Sequence, residues 1–238
     1  MGENPAAFPA LDGLVARFDL TAAQSGQLVR FGVALAADEH APTTVRDPAR
    51  VRDDHLADAL VGLDVPAVRA AHKLADLGAG AGIPGIPLAV ALPHARVYLV
   101  EGNGRKCDFM RAMGTELRLD NIEVVHGRAE TWTEGRGEMD VVTARALAPL
   151  DVVAEYAAPL LRVGGALVAW RGQRDLEDEA AGARAAEILG LSVLDPQHVE
   201  PYPGAINRHI HVMVKREPTP ARFPRRDGVA RKRPLGRA

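Results

Sequence analysis

The sequence predicts an α/β fold built on a mostly parallel sheet, and three observations carry that expectation. Short apolar runs at 72–77, 96–101, 122–126, 139–144 and 165–170 alternate with helix-patterned stretches at about 84–91, 103–117, 151–161 and 175–189. Strands that alternate with helices form βαβ units and pair in parallel. The first strand runs into the glycine-rich turn Asp76-Leu77-Gly78-Ala79-Gly80-Ala81-Gly82 and then into a helix. The last two strands, about 191–199 and 208–215, have no helix between them and are joined through Pro201, Pro203 and Gly204. Such a short connection makes a hairpin, so a sheet of seven strands with one antiparallel member is expected.

Ahead of the sheet, residues 8–70 read as helical. Thr21 is a plausible N-cap with Gln24 as its capping-box partner, and Leu28, Phe31, Val33 and Leu35 continue that helix. Pro42 and Pro48 punctuate it, and a second helix, roughly Val51 to Leu63, carries His55, Leu56, Ala59 and Leu60 at helical spacing. This divides the chain into an N-terminal helical cap over 1–70, a core over 71–216 and a basic flexible tail over 217–238.

Composition narrows the class. A chain of 238 residues with 47% hydrophobic and 25% charged residues buries a core without disulfide or metal staples. Cys107 is the single cysteine, which excludes an internal disulfide and suits a reducing compartment. Met1 to Pro9 has neither a basic n-region nor an apolar core, so it does not read as a signal peptide. No apolar run reaches the roughly 18 residues of a membrane span. A cytoplasmic monomer is expected, with neither a membrane nor a metal as partner. Charge is unevenly spread. From Lys215 to Ala238 nine basic residues face Glu217 and Asp227, a local +7, so the preceding 214 residues carry −9 of the net −2. A basic arm on an acidic body is the asymmetry of a phosphate-neutralising tail, or of a solvated one without a ligand.

The glycine-rich turn is more specific than its glycines. Position 83, where a dinucleotide fingerprint has its third glycine, is Ile83. Asp76, just before the glycines, suits the cationic amino-acid part of S-adenosylmethionine and would repel a pyrophosphate. Glu101 ends the next strand, 23 residues after Gly78, where a carboxylate accepts both hydroxyls of a ribose. Gly78 and Gly80 allow the backbone to approach the ligand. Pro84 and Pro87 fit the first turn of the following helix. After the third strand, Gly127-Arg128-Ala129-Glu130 occupies the loop that faces an adenine, with backbone groups of Ala129 and Glu130 as its partners. Arg145 follows the fourth strand, and open α/β sheets bind ligands beyond the carboxyl ends of their strands. It is placed to steer either the donor carboxylate or an acceptor phosphate. A nicotinamide-dependent oxidoreductase is the rival reading of the turn, opposed by Ile83 and Asp76.

The acceptor is read by exclusion. No Asn/Asp-Pro-Pro-aromatic motif of exocyclic-amine methylation follows the fourth strand, and Cys107 sits away from the expected acceptor, against a cysteine adduct on pyrimidine C5. Groups already nucleophilic at neutral pH remain, among them guanine N7, for which no general base is needed and alignment is the main requirement. A small-molecule or protein acceptor stays open, as does a non-catalytic RNA-binding protein on a donor fold.

Taken together, residues 55–60 and 76–147 resemble the glucose-inhibited division protein B family, bacterial methyltransferases that make 7-methylguanosine in 16S ribosomal RNA. The resemblance rests on His55-Leu56-Ala57-Asp58-Ala59-Leu60, on Gly82-Ile83-Pro84-Gly85-Ile86-Pro87-Leu88 after the glycine turn, on Asn121-Ile122-Glu123, Arg128-Ala129-Glu130 and Arg145-Ala146, and on Arg208-His209 before the last strand. Segments Phe223 to Gly228 and Lys232 to Leu235 are similar to a tail of many members. The family usually has Ser where this chain has Ala59, and Asn-Leu-Thr where it has Pro42-Thr43-Thr44. The resemblance implies a Rossmann-like class I methyltransferase fold and S-adenosylmethionine as cofactor. It implies donor contacts from Gly78, Ile83, Glu101, Ala129, Glu130 and Arg145, with Arg145 as the positioning residue of catalysis. The RNA face would hold His55, Asp58, Lys106, Arg128 and Arg208, with Arg225 and Arg226 reaching from the tail. Aromatic residues are only 4% of the chain, so base-stacking platforms are scarce, with Trp132 and Phe223 as candidates.

Overall fold

The computed structural model describes residues 8–237; most of the Met1 to Pro9 segment and the final residue of the tail lie outside the described residues. The chain opens with α1 (Asp12–Phe18) and α2 (Ala22–Ala37). A run of short helical segments follows: α3 (Pro48–Arg50), a π-helical turn (Val51–Ala57), α4 (Asp58–Leu60), a 3₁₀ turn (Val61–Asp64) and α5 (Pro66–Arg69). The alternating part is β1 (Lys73–Leu77), α6 (Gly85–Ala91), β2 (Arg96–Glu101), α7 (Gly104–Leu117), β3 (Ile122–His126), β4 (Met139–Arg145), α8 (Leu150–Ala157), β5 (Leu161–Arg171) and α9 (Leu176–Leu189). Strands β6 (Leu191–Val193), β7 (Gln197–His198) and β8 (His209–Lys215) complete the sheet, and α10 (Val229–Lys232) lies in the tail.

Local chemistry sets the boundaries. The capping box at Thr21 forms as expected, with the Thr21 side chain accepting from the Gln24 N–H and Gln24 returning to the Thr21 N–H. At the other end of α2, Arg46 donates to the carbonyls of Leu35 and Ala41, each at 2.9 Å, and so satisfies groups the helix leaves open. Asp47 caps α3 and Pro48 opens it. The helix expected over 151–161 stops at Ala157, because Pro159 can neither donate to nor fit inside a continuing helix.

The sheet runs in the order β3-β2-β1-β4-β5-β8-β6. Neighbours are parallel from β3 to β5, and β8 is antiparallel to both β5 and β6. That is the expected sheet with its single reversed strand. The strand read over 191–199 is split in two. Val193 pairs with Met213 but Gln197 with Ile210, so four steps on one side meet three on the other, a bulge at Asp195-Pro196 where proline has no N–H to give. The two-residue β7 is thus an eighth, minor strand. The order turns outward in both directions from β1 and β4, and this switch point opens a crevice at their carboxyl ends.

Two apolar layers clothe the sheet. One joins Leu28, Phe31, Leu56 and Leu60 of the N-terminal helices to Leu74, Ile86 and Leu99, so the helices expected as a cap share a core with the sheet across residue 70. The other gathers Val142, Ala144, Val153 and Leu189 together with Phe223 and Ala230.

The tail differs from its expectation. Residues 222–237 lie against α8 and α9 instead of extending into solvent as a flexible arm. Phe223 is 8% exposed and Ala230 2%. Arg225 donates through Nε to Glu155 Oε1 at 2.8 Å, and the Glu155 side chain is 1% exposed. Arg237 approaches Asp151 and Asp178, each at 3.5 Å. The tail arginines thus answer buried carboxylates of the acidic body, which is where part of the charge asymmetry goes. Arg225→Ala leaves Glu155 without its cation and should cost about 3 kcal/mol of stability. Denaturant unfolding of the variant measures it, and a loss under 1 kcal/mol would contradict the assignment.

Candidate active site

Asp76 shows how the carboxyl end of β1 is built. Across the β1–β4 ladder it stands opposite Thr143. The Thr143 hydroxyl donates to Asp76 Oδ1 at 2.9 Å and the Gly85 N–H donates to Oδ2 at 2.9 Å. The carboxylate is 1% exposed, so it ties the start of α6 to the sheet and turns inward, away from the cavity. The expected contact with a ligand's amino group is therefore not made by this side chain. Burial pushes its pKa up to about 7, against the pull of Thr143, Gly85 and Arg145. A carboxyl whose folded value lies above its unfolded value of 3.8 favours the folded state below pH 4, and that contribution fades as pH rises toward 7. Asp76→Asn should flatten the fall in stability between pH 4 and 7, as measured by urea unfolding.

The turn after β1 holds three glycines at positive φ: Gly78 at +65°, Gly80 at +60° and Gly82 at +85°. A Cβ on Gly78 would stand 2.6 Å from Leu147 Cδ1, whereas at Gly80 the nearest atom would be 3.7 Å away. Gly78 is thus required by close approach as well as conformation, and Gly80 by conformation alone. The Gly80 N–H donates to Glu101 Oε2 at 3.1 Å, and Glu101 Oε1 accepts the Asn103 N–H at 2.9 Å. Glu101 is therefore aimed by two backbone donors at the mouth of the crevice.

There a cavity of about 610 Å³ opens, lined by Gly78 after β1, Glu101 to Asn103 after β2, Gly127 to Glu130 after β3, and Ala146 and Leu147 after β4. Its size is that of a small-molecule site. Lys106, Tyr156 and Arg231 complete its wall. The structure so brings together Gly78, Glu101, Ala129 and Glu130. It also moves Lys106 and Arg128 from the expected RNA face to the rim of this cavity, with Arg128 ion-paired to Asp227 at 2.7 Å. Ile83 is 6% exposed in the core beneath the turn and Gly80 lies behind Glu101, so neither side lines the cavity.

A second cavity, about 460 Å³, lies next to the first and shares Ala146 with it. Asp54, Asp58, Arg145, Trp170, Arg171 and Arg208 are in its wall, so Arg145, expected among the donor contacts, borders this cavity and not the first. Its organising feature is the π-helical turn. The Asp58 N–H bonds back to Asp53 O and His55 O, and the Asp54 carbonyl accepts from Arg145 Nη1 at 2.8 Å. The same nitrogen donates to Asp58 Oδ2 at 2.8 Å, while Nη2 lies 3.3 Å from His55 Nδ1. His55 Nε2 lies 2.8 Å from Thr43 Oγ1 and Nδ1 lies 3.1 Å from the Asp54 carbonyl, so the ring is held at both nitrogens. Burial, then the Arg145 charge, push the His55 pKa down and keep the ring neutral. Asp58 is further held through its carbonyl, which accepts Trp170 Nε1–H at 2.7 Å. Arg208 stands 3.5 Å from Asp58 and 3.4 Å from Asp54, and Asp54 also accepts the Tyr202 hydroxyl at 2.7 Å. Burial alone would raise the Asp54 pKa, but the Tyr202 and Arg50 hydrogen bonds and the Arg208 charge hold it below the ordinary range.

Of the expected RNA residues, His55, Asp58 and Arg208 converge on Arg145, whereas Arg225 is consumed by Glu155 and Arg226 is exposed on the tail. Trp132 packs on Tyr98 at 5.3 Å between ring centroids and Phe223 is buried, so neither serves as a stacking platform. Sequence reasoning missed Asp54, Tyr202, Tyr156 and Arg231, and the conformation of Ala146. Only the acidic pair beside His55 could have signalled Asp54. Ala146, where the cavities meet, has φ +52°, a left-handed conformation costly for a residue with a Cβ, and nothing in an alanine announces that. Among the described residues no cluster of His, Cys, Asp or Glu is arranged to hold a metal ion, and no helix is long and apolar enough to cross a membrane.

Comparison with known proteins agrees with this geometry. The profile of the family described as rRNA small subunit methyltransferase G, GidB, matches residues 28–210. The ribosomal RNA small subunit methyltransferase G of a Roseiflexus species is 45% identical over 186 residues, covering 76% of each chain. That of Chloroflexus aggregans is 41% identical over 198 residues, 81% of this chain and 82% of the relative. In fold, the chain is similar to a SAM-dependent methyltransferase from Aquifex aeolicus, with a TM-score of 0.55 at 18% identity over 71% of this chain and 94% of that one. The chain belongs to the rRNA small subunit methyltransferase G family.

Proposed function

We propose that this chain, as a member of that family, transfers the methyl group of S-adenosylmethionine to N7 of a guanine in 16S ribosomal RNA of the bacterial small subunit. The observation that carries the reading is the pair of cavities meeting at Ala146. The first suits an adenosyl nucleoside: Gly78 leaves its floor free of a Cβ, and Glu101 presents a pre-aimed carboxylate for the ribose hydroxyls. The backbone at Ala129 and Glu130 offers groups to the adenine edge. S-adenosylmethionine, when bound, supplies a methyl on a positively charged sulfur.

The second cavity takes the acceptor. Guanine N7 has a free lone pair and loses no proton on methylation, so the site needs alignment and not a general base. Its residues fit that need. His55 is neutral and hydrogen-bonded on both nitrogens, and Arg145, Asp58 and Arg208 form a rigid charged frame. Arg145 positions; its guanidinium is held at three points and faces the cavity beside Ala146. Asp58 and His55 act through Arg145, and Arg208 borders the acceptor directly. Phosphate attraction contributes most of RNA affinity in a chain with few stacking residues, so binding weakens steeply with salt. The enzyme works as a monomer in the bacterial cytoplasm, where its substrate is.

The test is transfer of labelled methyl from S-adenosylmethionine to small ribosomal subunits lacking this modification, with naked 16S RNA in parallel, followed by nucleoside analysis. A 7-methylguanosine product is expected. No product on either substrate, with S-adenosylhomocysteine still binding, would leave the donor cavity standing and remove the proposed acceptor.

A further inference from the structure

The tail reaches the first cavity as well as the core. Three contacts tie it across the mouth, from the loop after β3 to the loop after β4. Asp227 pairs with Arg128 at 2.7 Å, the Gly228 N–H approaches Glu130 Oε1 at 3.4 Å, and Arg231 Nη2 donates to the Leu147 carbonyl at 3.0 Å. Between these points Arg231 is in the cavity wall, in contact with Tyr156, and Ala129 and Glu130 line the same cavity. The tail is held there from behind by Arg225 on Glu155 and by the buried Phe223 and Ala230.

We infer that the segment Asp227–Arg231 is a wall of the methyl-donor site and that Arg231 binds the adenine end of the donor. The inference rests on the donor reading of the first cavity. Its physical basis is the guanidinium itself. The guanidinium is anchored by the Leu147 carbonyl and the Tyr156 side chain, which leaves N–H groups over, and it shares the cavity wall with Ala129, Glu130 and Tyr156. A guanidinium there can cover a purine face or donate to a ring nitrogen, and both contacts are made only when the nucleoside is present. The arrangement also assigns the basic tail a second use: its cations serve the small-molecule site and the core before any of them meets RNA. Binding of the donor and ordering of the tail then support one another, because each supplies contacts to the other.

Two measurements test this on the full chain. Isothermal titration with S-adenosylhomocysteine should show Arg231→Ala binding about tenfold more weakly, the loss of roughly one hydrogen bond to a charged group. Arg231→Lys should recover only part of it, since an ammonium lacks the planar fork. The melting temperature without ligand should stay within about a degree of wild type, which separates a binding contact from a folding one. In the wild-type protein, S-adenosylhomocysteine should slow tryptic cleavage after Arg226, Arg231 and Lys232. Unchanged affinity in Arg231→Ala, or tail cleavage indifferent to the ligand, would overturn the inference while the donor site stood. Failure of the wild-type protein to bind S-adenosylhomocysteine would overturn the donor reading and this inference with it.

Discussion

Glu101→Ala should weaken S-adenosylhomocysteine binding by about a hundredfold. A carboxylate accepting two hydroxyls makes two charge-assisted hydrogen bonds, each contributing on the order of 1.5–3 kcal/mol when made in a partly closed site, so two at the low end give about 3 kcal/mol, a little over a hundredfold. The effect should be large because the side chain is already aimed: the Gly80 and Asn103 N–H groups hold its two oxygens, so little ordering is needed on binding. The same two bonds brace the glycine turn, so a small drop in melting temperature should accompany the loss. Glu101→Gln should fall between, since an amide can accept from one hydroxyl but its N–H₂ opposes a backbone donor. Titration calorimetry on the three proteins decides it. A dissociation constant within threefold of wild type in Glu101→Ala would place the ribose elsewhere.

Arg145→Ala should abolish most methyl transfer, by a hundredfold or more in kcat, while leaving S-adenosylhomocysteine affinity nearly unchanged. Misplacing the acceptor by an ångström is enough for a loss of that size. Arg145 is the hub of the second cavity, bonded to Asp54 O and Asp58 Oδ2 at 2.8 Å and set against His55. Asp58 is 6% exposed, so removing its partner strands a buried carboxylate and should also cost about 3 kcal/mol of stability. Activity is therefore to be measured well below the melting temperature. Arg145→Lys should restore part of the stability but little of the turnover, because one ammonium cannot span a carbonyl, a carboxylate and an imidazole in a fixed plane. Normal turnover in either variant would show that Arg145 is only a structural ion pair.

Much of the fold was legible along the chain. Each strand from 72–77 to 165–170 lies within a residue or two of its expected place, except that β5 starts at Leu161, and the Thr21 capping box and the terminal hairpin formed as read. These features depend on local pattern: apolar period, glycine and proline placement, and hydroxyl or carboxylate caps. Residue type and position relative to a strand end likewise pointed to Gly78, Glu101, Ala129 and Glu130, which line the first cavity, and to Arg145, which lines the second. Proline chemistry accounts for two of the misplaced boundaries, at Pro159 and Pro196.

What escaped that reading depends on contacts between segments far apart in sequence. Asp76 reads as a ligand for a cation, but it is buried against Thr143 and Gly85, and a carboxylate with no surface on the cavity has no face to offer a ligand. Arg225 reads as a phosphate contact until Glu155, seventy positions earlier, is found buried beneath it. The left-handed turn at Ala146 has no signal in its residue type, and Tyr202 on Asp54 and Arg231 in the wall of the first cavity carry no motif at all. Amino-acid order determined the sheet, the crevice and the chemical kinds of group around it, because these follow from local periodicity and from where strands end. Only the folded chain decided which of those groups face a cavity, because whether a charged or hydrogen-bonding group is turned outward or buried is set by contacts between segments far apart in sequence.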